Sequence, residues 1–229
     1  MQKRLVRKLE LEMFLSQITP HLTPKPNLEQ YTIPADVAAT ILYLAAYTYN
    51  DIINKTVLDL GCGTGRLALG AAFLDAKQVV GVDIDKNAVK TAFENSLKTN
   101  LKERMQWIAA DLDAVHGNFD TVLQNPPFGV QRRGADRKFI EKALETGNVI
   151  YSLHKSPHKD KIFIKKLKTR KNGVMPVAPS PFLKRFIEGH GGKIRAVYAM
   201  VMAIPYMFRF HTKMKHEFVV DLYVIERDK

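Results

Sequence analysis

One cysteine, Cys62, stands in a chain of 229 residues. It has no partner for an internal disulfide, so cross-links cannot hold this fold, and a reducing cytosol is the natural compartment. Nor does any apolar run approach the ~20 residues that a membrane-crossing helix needs. The stretch MQKRLVRKLELEMF at the amino terminus is charged throughout and lacks the apolar centre of a secretory signal. Acidic residues are also scarce: 23 Asp and Glu face 35 Lys and Arg, a formal net charge of +12. These absences exclude a disulfide scaffold and a helical membrane protein. They lead to the expectation of a cytoplasmic protein with no membrane partner.

What is present describes an ordinary globule, with 46% hydrophobic and 25% charged residues. The length suits one well-buried domain with additions. A basic surplus of this size points to a polyanionic partner. A lysine-rich surface suited to high temperature gives the same total, so the distribution has to decide. Lys155, Lys159, Lys161, Lys165, Lys166, Lys168, Arg170, Lys171, Lys184 and Arg185 follow one another with only Asp160 opposing them. That block exceeds what a solvated face needs and favours nucleic acid.

Residues 3 to 18 read as an amphipathic helix, with Leu5, Leu9 and Met13 at i+4 spacing. TPHLTPKPNLEQYTIP carries four prolines and predicts an extended segment, and ADVAATILYLAAYTYN predicts a helix. Short, solidly apolar strands then alternate with helices: KTVLDL, QVVGVDI, MQWIAADL, FDTVLQN and NVIYSLHK are the strands. Such runs mean parallel strands covered on both faces. A basic helix over 159–171 and a second helical piece, FLKRFIEGH, lead to KIRAVYAMVMAIP and EFVVDLYVIER, which have no helix between them. These last two strands predict an antiparallel hairpin.

VLDLGCGTGRLALG places Gly61, Gly63 and Gly65 where the first strand turns into a helix. Glycine permits a sharp turn and lets a ligand lie against the backbone. Asp59 precedes the loop, Asp83 ends the next strand, and Asp111 ends the one after. Ligands of open α/β sheets bind along this carboxyl edge, where an acidic residue takes ribose hydroxyls. A dinucleotide dehydrogenase would want GxGxxG, and this chain has GCGTGR. S-adenosylmethionine fits better: its ribose suits Asp83, its adenine the Asp111 region, and its methionine end Asp59 and the glycines. Cys62 reads as a small buried residue of the turn.

The fourth strand ends on Asn125-Pro126-Pro127-Phe128. Two prolines end a sheet ladder and lose backbone donors, so the shape of this turn has a use. A conjugated amine is a poor nucleophile. The amide oxygen of Asn125 and the carbonyl of Pro126 can each accept one of its N–H groups, and both bonds strengthen as charge develops on nitrogen. Phe128 offers a face for a base lifted from its stack. No metal and no general base is required. His154 reads as a structural residue, and Arg132, Arg133, Arg137 and Lys138 follow the turn closely enough to meet phosphates or to form a solvated helix start, which the sequence leaves open.

LEQY at 28–31, DLGCGTG at 59–65, GVDID at 81–85, NPPFG at 125–129 and YSLHK at 151–155 together give a resemblance. The chain resembles the class I S-adenosylmethionine-dependent methyltransferases. More narrowly, it is similar to the methyltransferase-like family that N6-methylates one adenine of small-subunit ribosomal RNA. The resemblance implies a Rossmann-like α/β fold, a mostly parallel seven-stranded sheet with a carboxyl-terminal antiparallel hairpin and helices on both faces. It implies donor contacts from Gln30, Tyr31 and Thr32, with Ile33 where the family has threonine. Further donor positions are Asp59, Gly61, Gly63, Thr64, Gly65, Arg66, Asp83, Ile84, Asp111, Leu112 and Asn125. The catalytic tetrapeptide Asn125, Pro126, Pro127 and Phe128 carries over unchanged. Relatives pair with a small zinc-binding activator protein, which the resemblance extends to this chain.

The expected organisation is a helical extension and donor lid over residues 1–50, followed by a methyltransferase domain over 51–229 with a basic insertion at about 159–190. Two other functions fit part of the pattern. A glutamine side-chain amide presents the same planar NH2, so an N5-glutamine protein methyltransferase would use the same acceptors, although tyrosine usually follows the prolines there. A non-catalytic RNA-binding assembly factor could keep the donor fold, but the intact Asn125 and glycine loop argue against it.

Overall fold

The structure is a computed structural model that describes residues 5–21, 24–25, 28–129, 134–158, 160–170, 173–205 and 215–228. Arg132, Arg133, Lys159 and Lys171 of the sequence reading lie outside the described residues. Parallel strands β1 (Thr56–Leu60), β2 (Gln78–Asp83), β3 (Met105–Ala109), β4 (Phe119–Gln124) and β5 (Gly147–Lys155) form one side of a single sheet. Three antiparallel strands complete it: β6 (Val174–Pro176), β7 (Gly192–Pro205) and β8 (Lys215–Arg227). The order is β3-β2-β1-β4-β5-β8-β7-β6. This is the Rossmann-like arrangement, with eight strands where seven were expected. The extra one, β6, is three residues long and contains a proline. It is an edge strand, where a missing N–H is tolerated and sequence signal is weak.

Helices cover both faces. On one side α1 (Lys8–Ser16), α2 (Ala35–Tyr43) and α3 (Arg66–Phe73) share an apolar core with β7 and β8. On that side too, α4 (Lys86–Leu97) is tied to the glycine loop by Asn95 Nδ2, which donates to the Thr64 carbonyl at 3.1 Å. On the other side α5 (Ala135–Thr146) and α7 (Pro181–Gly189) pack on Leu58, Val122, Ile150 and Tyr223. There α6 (Lys161–Lys168) buries Leu167 in a small cluster with Ala199 and Val219, with Phe163 and Ile164 packed against it. Starts are marked by short polar side chains, as capping requires: Asp85 accepts from Asn87 N, Asp160 from Phe163 N and Ser180 from Leu183 N.

α1 corrects the sequence reading. Leu5, Leu9 and Met13, taken as its inward stripe, are 59%, 62% and 58% exposed, while Leu11 and Leu15 are fully buried. Both rows are apolar, so periodicity cannot choose between them. Docking chooses: Leu15 meets the α3 backbone where Gly70 leaves room, against Leu42 of α2. Among the described residues no helix is long and apolar enough to cross a membrane.

Gly70 tests this packing. In an exposed helix interior, Gly→Ala stabilises by about 1 kcal/mol. Here a Cβ would strike the fully buried Leu42 and press on Leu15. Gly70→Ala should therefore lower stability, by about 1–3 kcal/mol from overpacking. Urea unfolding with an unchanged or raised midpoint would contradict the packing.

Candidate active site

The carboxyl ends of β1, β2, β3 and β4 open into a cavity of about 430 Å³. The turn after β1 forms its floor. Gly61, Gly63 and Gly65 adopt φ of 69°, 54° and 84°, left-handed values that only glycine takes without strain. A Cβ on Gly63 would meet nothing within 4 Å, so the backbone there lies open to the cavity. Gly65 caps α3 and is pressed against Trp107. The described residues of the proline-rich segment form the roof: His21 and Leu28 through Ile33 all line the space.

The roof is held by charge and backbone. Asp85, at the start of α4, is 2% exposed at its side chain. It accepts from Lys25 Nζ at 3.0 Å and Gln30 Nε2 at 3.0 Å, both on the roof. Burial raises this carboxyl's pKa, but hydrogen bonds from Gln30, Lys25 and the Asn87 amide outweigh it and bring it to about 2. Arg66 donates to the carbonyls of Ile33 and Ile18, so its guanidinium fastens the roof to α3. Thr32 Oγ1 accepts from His21 N at 3.0 Å, bracing the roof internally.

Two further carboxyls face the floor. Asp83 accepts from Gly63 N at 2.8 Å and Asp85 N at 2.9 Å, which fixes its orientation. Its pKa lies above the usual carboxylate range, chiefly through burial. Asp59 is 1% exposed and accepts from Ala68 N at 2.9 Å, inside the first turn of α3. Burial, with a smaller contribution from the charge of Asp83, pushes Asp59 up to about 7. Asp111 accepts from Asp113 N at 3.1 Å and turns the chain so that Leu112 also reaches the cavity. Cys62 is buried and its thiol pKa is raised well above the usual value by burial, which makes it inert.

At the inner end, Asn125 Oδ1 accepts from the Tyr31 hydroxyl at 2.9 Å. Burial raises the Tyr31 pKa, so the phenol stays protonated and remains a donor. One lone pair of the Asn125 oxygen is left for another N–H. Phe128 is half-buried, 5.7 Å from the Tyr31 ring and edge-on to Phe218 at 5.8 Å. Behind the turn, Gln124 Nε2 donates to Ser152 Oγ at 2.8 Å and Ser152 bonds His154 Nε2 at 2.7 Å. His154 is 3% exposed and its other nitrogen lies 3.6 Å from Asp136. The histidine thus sits inside a structural chain of polar groups.

The cavity brings together Gln30, Tyr31, Thr32, Asp59, Gly61, Gly63, Thr64, Arg66, Asp83, Ile84, Asp111, Leu112, Asn125 and Pro127. Gly65, Pro126 and Phe128 do not line it. Gly65 is taken up by the cap of α3, and Phe128 by the two rings beside it. Sequence reasoning missed His21, Asp85 and Phe139, and read Lys138 as a phosphate contact or a solvated helix start where it lines the cavity. Asp85 stood in plain view as the second acid of GVDID, and a helix cap was the available signal.

The cavity carries unmet demand. His21 Nε2, Thr64 Oγ1 and Arg66 Nε are buried and find no hydrogen-bond partner among the described residues, and all three residues line it. Native interiors rarely leave such atoms unpaired without a ligand or water. Carboxyls at Asp59 and Asp83 suit an ammonium and a ribose, and the apolar walls at Ile84, Leu112 and Phe139 suit an adenine. A Rossmann-like sheet with this acid-lined glycine turn defines a class I S-adenosylmethionine-dependent methyltransferase.

Comparison with known proteins narrows the class. The profile of the methyltransferase small domain family matches residues 35–149. The rRNA N(6)-adenosine-methyltransferase METTL5 of Danio rerio is 38% identical over 67% of this chain and 76% of its own. A Pyrococcus horikoshii structure, described as that of a candidate RNA methyltransferase, superposes with a TM-score of 0.81 and 34% identity, covering 99% of this chain and 100% of that one. Magnesium protoporphyrin IX methyltransferase from Synechocystis, with bound S-adenosylhomocysteine, shares the fold at a TM-score of 0.59 and 16% identity, over 86% of this chain and 85% of that one. The chain belongs to the methyltransferase small domain family and is an S-adenosylmethionine-dependent methyltransferase.

Asp59 gives a pH test on the ligand-free protein. Its pKa rises on folding from 3.8 to about 7, so the folded state holds a proton that the unfolded state has released. This contribution therefore disfavours the fold increasingly as pH climbs from about 4 to about 7, then levels off. Asp59→Asn keeps an acceptor for Ala68 N and removes the titration. Its stability relative to the parent should improve over that window by at most about 1.4 kcal/mol per pH unit. Urea unfolding at several pH values should show the difference rising and then flat above 7. A constant difference would mean that Asp59 is ionised throughout.

Proposed function

We propose that this enzyme methylates the N6 nitrogen of an adenosine in RNA, in small-subunit ribosomal RNA. Asn125 carries the reading: its amide oxygen sits at the inner end of the donor cavity, already oriented by Tyr31, at the head of a Pro-Pro turn. When bound, the donor supplies an electrophilic methyl group on a sulfonium, with a thioether as leaving group. Asp59 and Thr64 would hold its amino-acid end, Asp83 its ribose, and Ile84 and Leu112 its adenine.

The chain's own residues handle the amine. Asn125 Oδ1 accepts one N–H and the Pro126 carbonyl the other, so the amine lone pair is turned toward the cavity. Both acceptors favour the nitrogen as it becomes positive. The proton then leaves to solvent, and positioning replaces a general base. Phe128, held by Tyr31 and Phe218, is the stacking face for the flipped base. On this reading residues 1–50 provide the lid and 51–229 the transferase unit, and the basic insertion at about 159–190 meets phosphates. By the family resemblance a small zinc-binding activator protein would be its partner. The relative named as an rRNA N(6)-adenosine-methyltransferase supports the RNA substrate over a glutamine amide.

Labelled donor offered with total ribosomal RNA or with total ribosomal and release-factor protein should mark the RNA. Label in protein alone would reverse the assignment. Asn125→Ala should lower kcat by roughly 100-fold or more. Affinity for S-adenosylhomocysteine should stay near that of the parent. A variant whose kcat survives while the RNA KM rises would make Asn125 a binding residue.

The basic face of α6 makes a separate claim. Lys168 is engaged with Glu217 at 2.7 Å, whereas Lys165 and Lys166 are exposed and carry no ion pair among the described residues. Reversing Lys165 and Lys166 to Glu should weaken RNA binding across sequences. The slope of log K against log salt should flatten by about 0.7 for each lost single-strand phosphate contact. An unchanged slope would return α6 to an ordinary solvated surface.

A further inference from the structure

α7 carries an aromatic row that the core covers only at Phe186. Phe182, Phe186 and His190 are spaced four apart and so share one side of the chain there. The Phe182 and Phe186 rings lie 6.2 Å apart at 19°, and Phe186 and His190 are 4.2 Å apart. The helix buries a different side, through Leu183 and Ile187. Phe182 is left 48% exposed.

The row has a definite place and charge. Its Phe182 end adjoins α5, where the Arg137 guanidinium lies over the Phe182 ring at 5.1 Å from the centroid. Arg137 is next in sequence to Lys138, which lines the donor cavity, and α5 begins where the chain leaves the Asn125 turn. The Arg137 guanidinium also lies beside Gly134, which lines the cavity, so the ring stands on the Gly134 side of the cavity rim. Lys138 and Arg185 are exposed and have no ion pair among the described residues. Lys184 reaches only Glu188, at 3.9 Å on the surface, a pair worth little.

We propose that Phe182 and Arg137 form a stacking platform for an unpaired nucleotide of the RNA strand beside the methylated adenosine. The inference rests on the RNA reading above and deepens it. Lifting one base into an active site breaks its stacking with both neighbours. A ring at the rim restores that contact for one neighbour and does so without regard to sequence, because every base has a flat face. The guanidinium over the ring is held by the ring's face and keeps N–H donors for a neighbouring phosphate. An acidic peptide would need the cations and gain nothing from the ring, so the two occupants respond differently to a change at Phe182.

The test measures binding of an unstructured, mixed-sequence RNA of about 12 nucleotides to the full chain at several salt concentrations. Phe182→Leu keeps apolar bulk and loses the aromatic face. It should weaken binding about tenfold or more with an unaltered salt slope, and Phe182→Trp should bind as tightly as the parent. Arg185→Glu should instead flatten the slope by about 0.7. S-adenosylhomocysteine affinity should be the same in all variants, which also confirms that each is folded. If the parent binds and methylates RNA while Phe182→Leu does so equally well, the ring is a helix-packing residue and the platform is refuted alone. If the parent neither binds nor methylates RNA and labels a glutamine peptide instead, the RNA reading fails and the platform with it.

Discussion

A buried carboxylate at Asp85 holds the donor site together. An ionised group this deeply buried must be paired, because leaving it uncompensated costs several kcal/mol. Its side-chain partners, Lys25 and Gln30, both come from the segment that roofs the cavity, and His21 stands 3.5 Å away on the same segment. Without the roof, Asp85 would keep only its bond from Asn87 N and the cavity would lose one wall. The roof in turn carries Tyr31, which orients Asn125. Enclosure of the cavity and the orientation of Asn125 are therefore both linked to this one charge. Arg66, read from the sequence as a donor contact, serves the same closure by gripping the Ile33 carbonyl of the roof and the Ile18 carbonyl just before it.

The parts of this molecule that could be read in the sequence are those fixed by local rules. The parallel strands announced themselves as short apolar runs, because both faces of the sheet are covered. Gly61 and Gly63 could be placed because their positive φ leaves few other residues, and Asn125 because two prolines after a strand end are costly. What could not be read depends on which neighbour arrives. Leu11 and Leu15 and the row Leu5, Leu9 and Met13 are equally apolar, and only α2 and α3 decide which is buried. Asp85 reads as an ordinary helix cap until Lys25 and Gln30 are seen across 60 and 55 residues of chain. The ring that braces Phe128 could not be read either, because Phe218 arrives from β8, far along the chain.

The Asn125 turn has stiff support. Gln124, one residue before it, is fully covered and enters the chain through Ser152 and His154 to Asp136 on α5. The Gln124 amide oxygen is buried without a partner among the described residues, so the bracing comes from its Nε2 bond and the groups beyond it. Here the strand before the turn and the helix after it are joined by the same side chains. The Asn125 turn thus follows a strand that is tied by side chains to the helix beyond it.

The chain has a single tryptophan, and it lies directly behind the glycine turn. The Trp107 ring abuts Gly65 and Gly81, and its indole nitrogen donates to Ser96 Oγ at 3.2 Å. Any shift of the turn on occupation of the cavity must change the surroundings of that ring. Its emission therefore reports the donor turn alone, unmixed with signals from other indoles, and the unmodified protein carries its own optical probe.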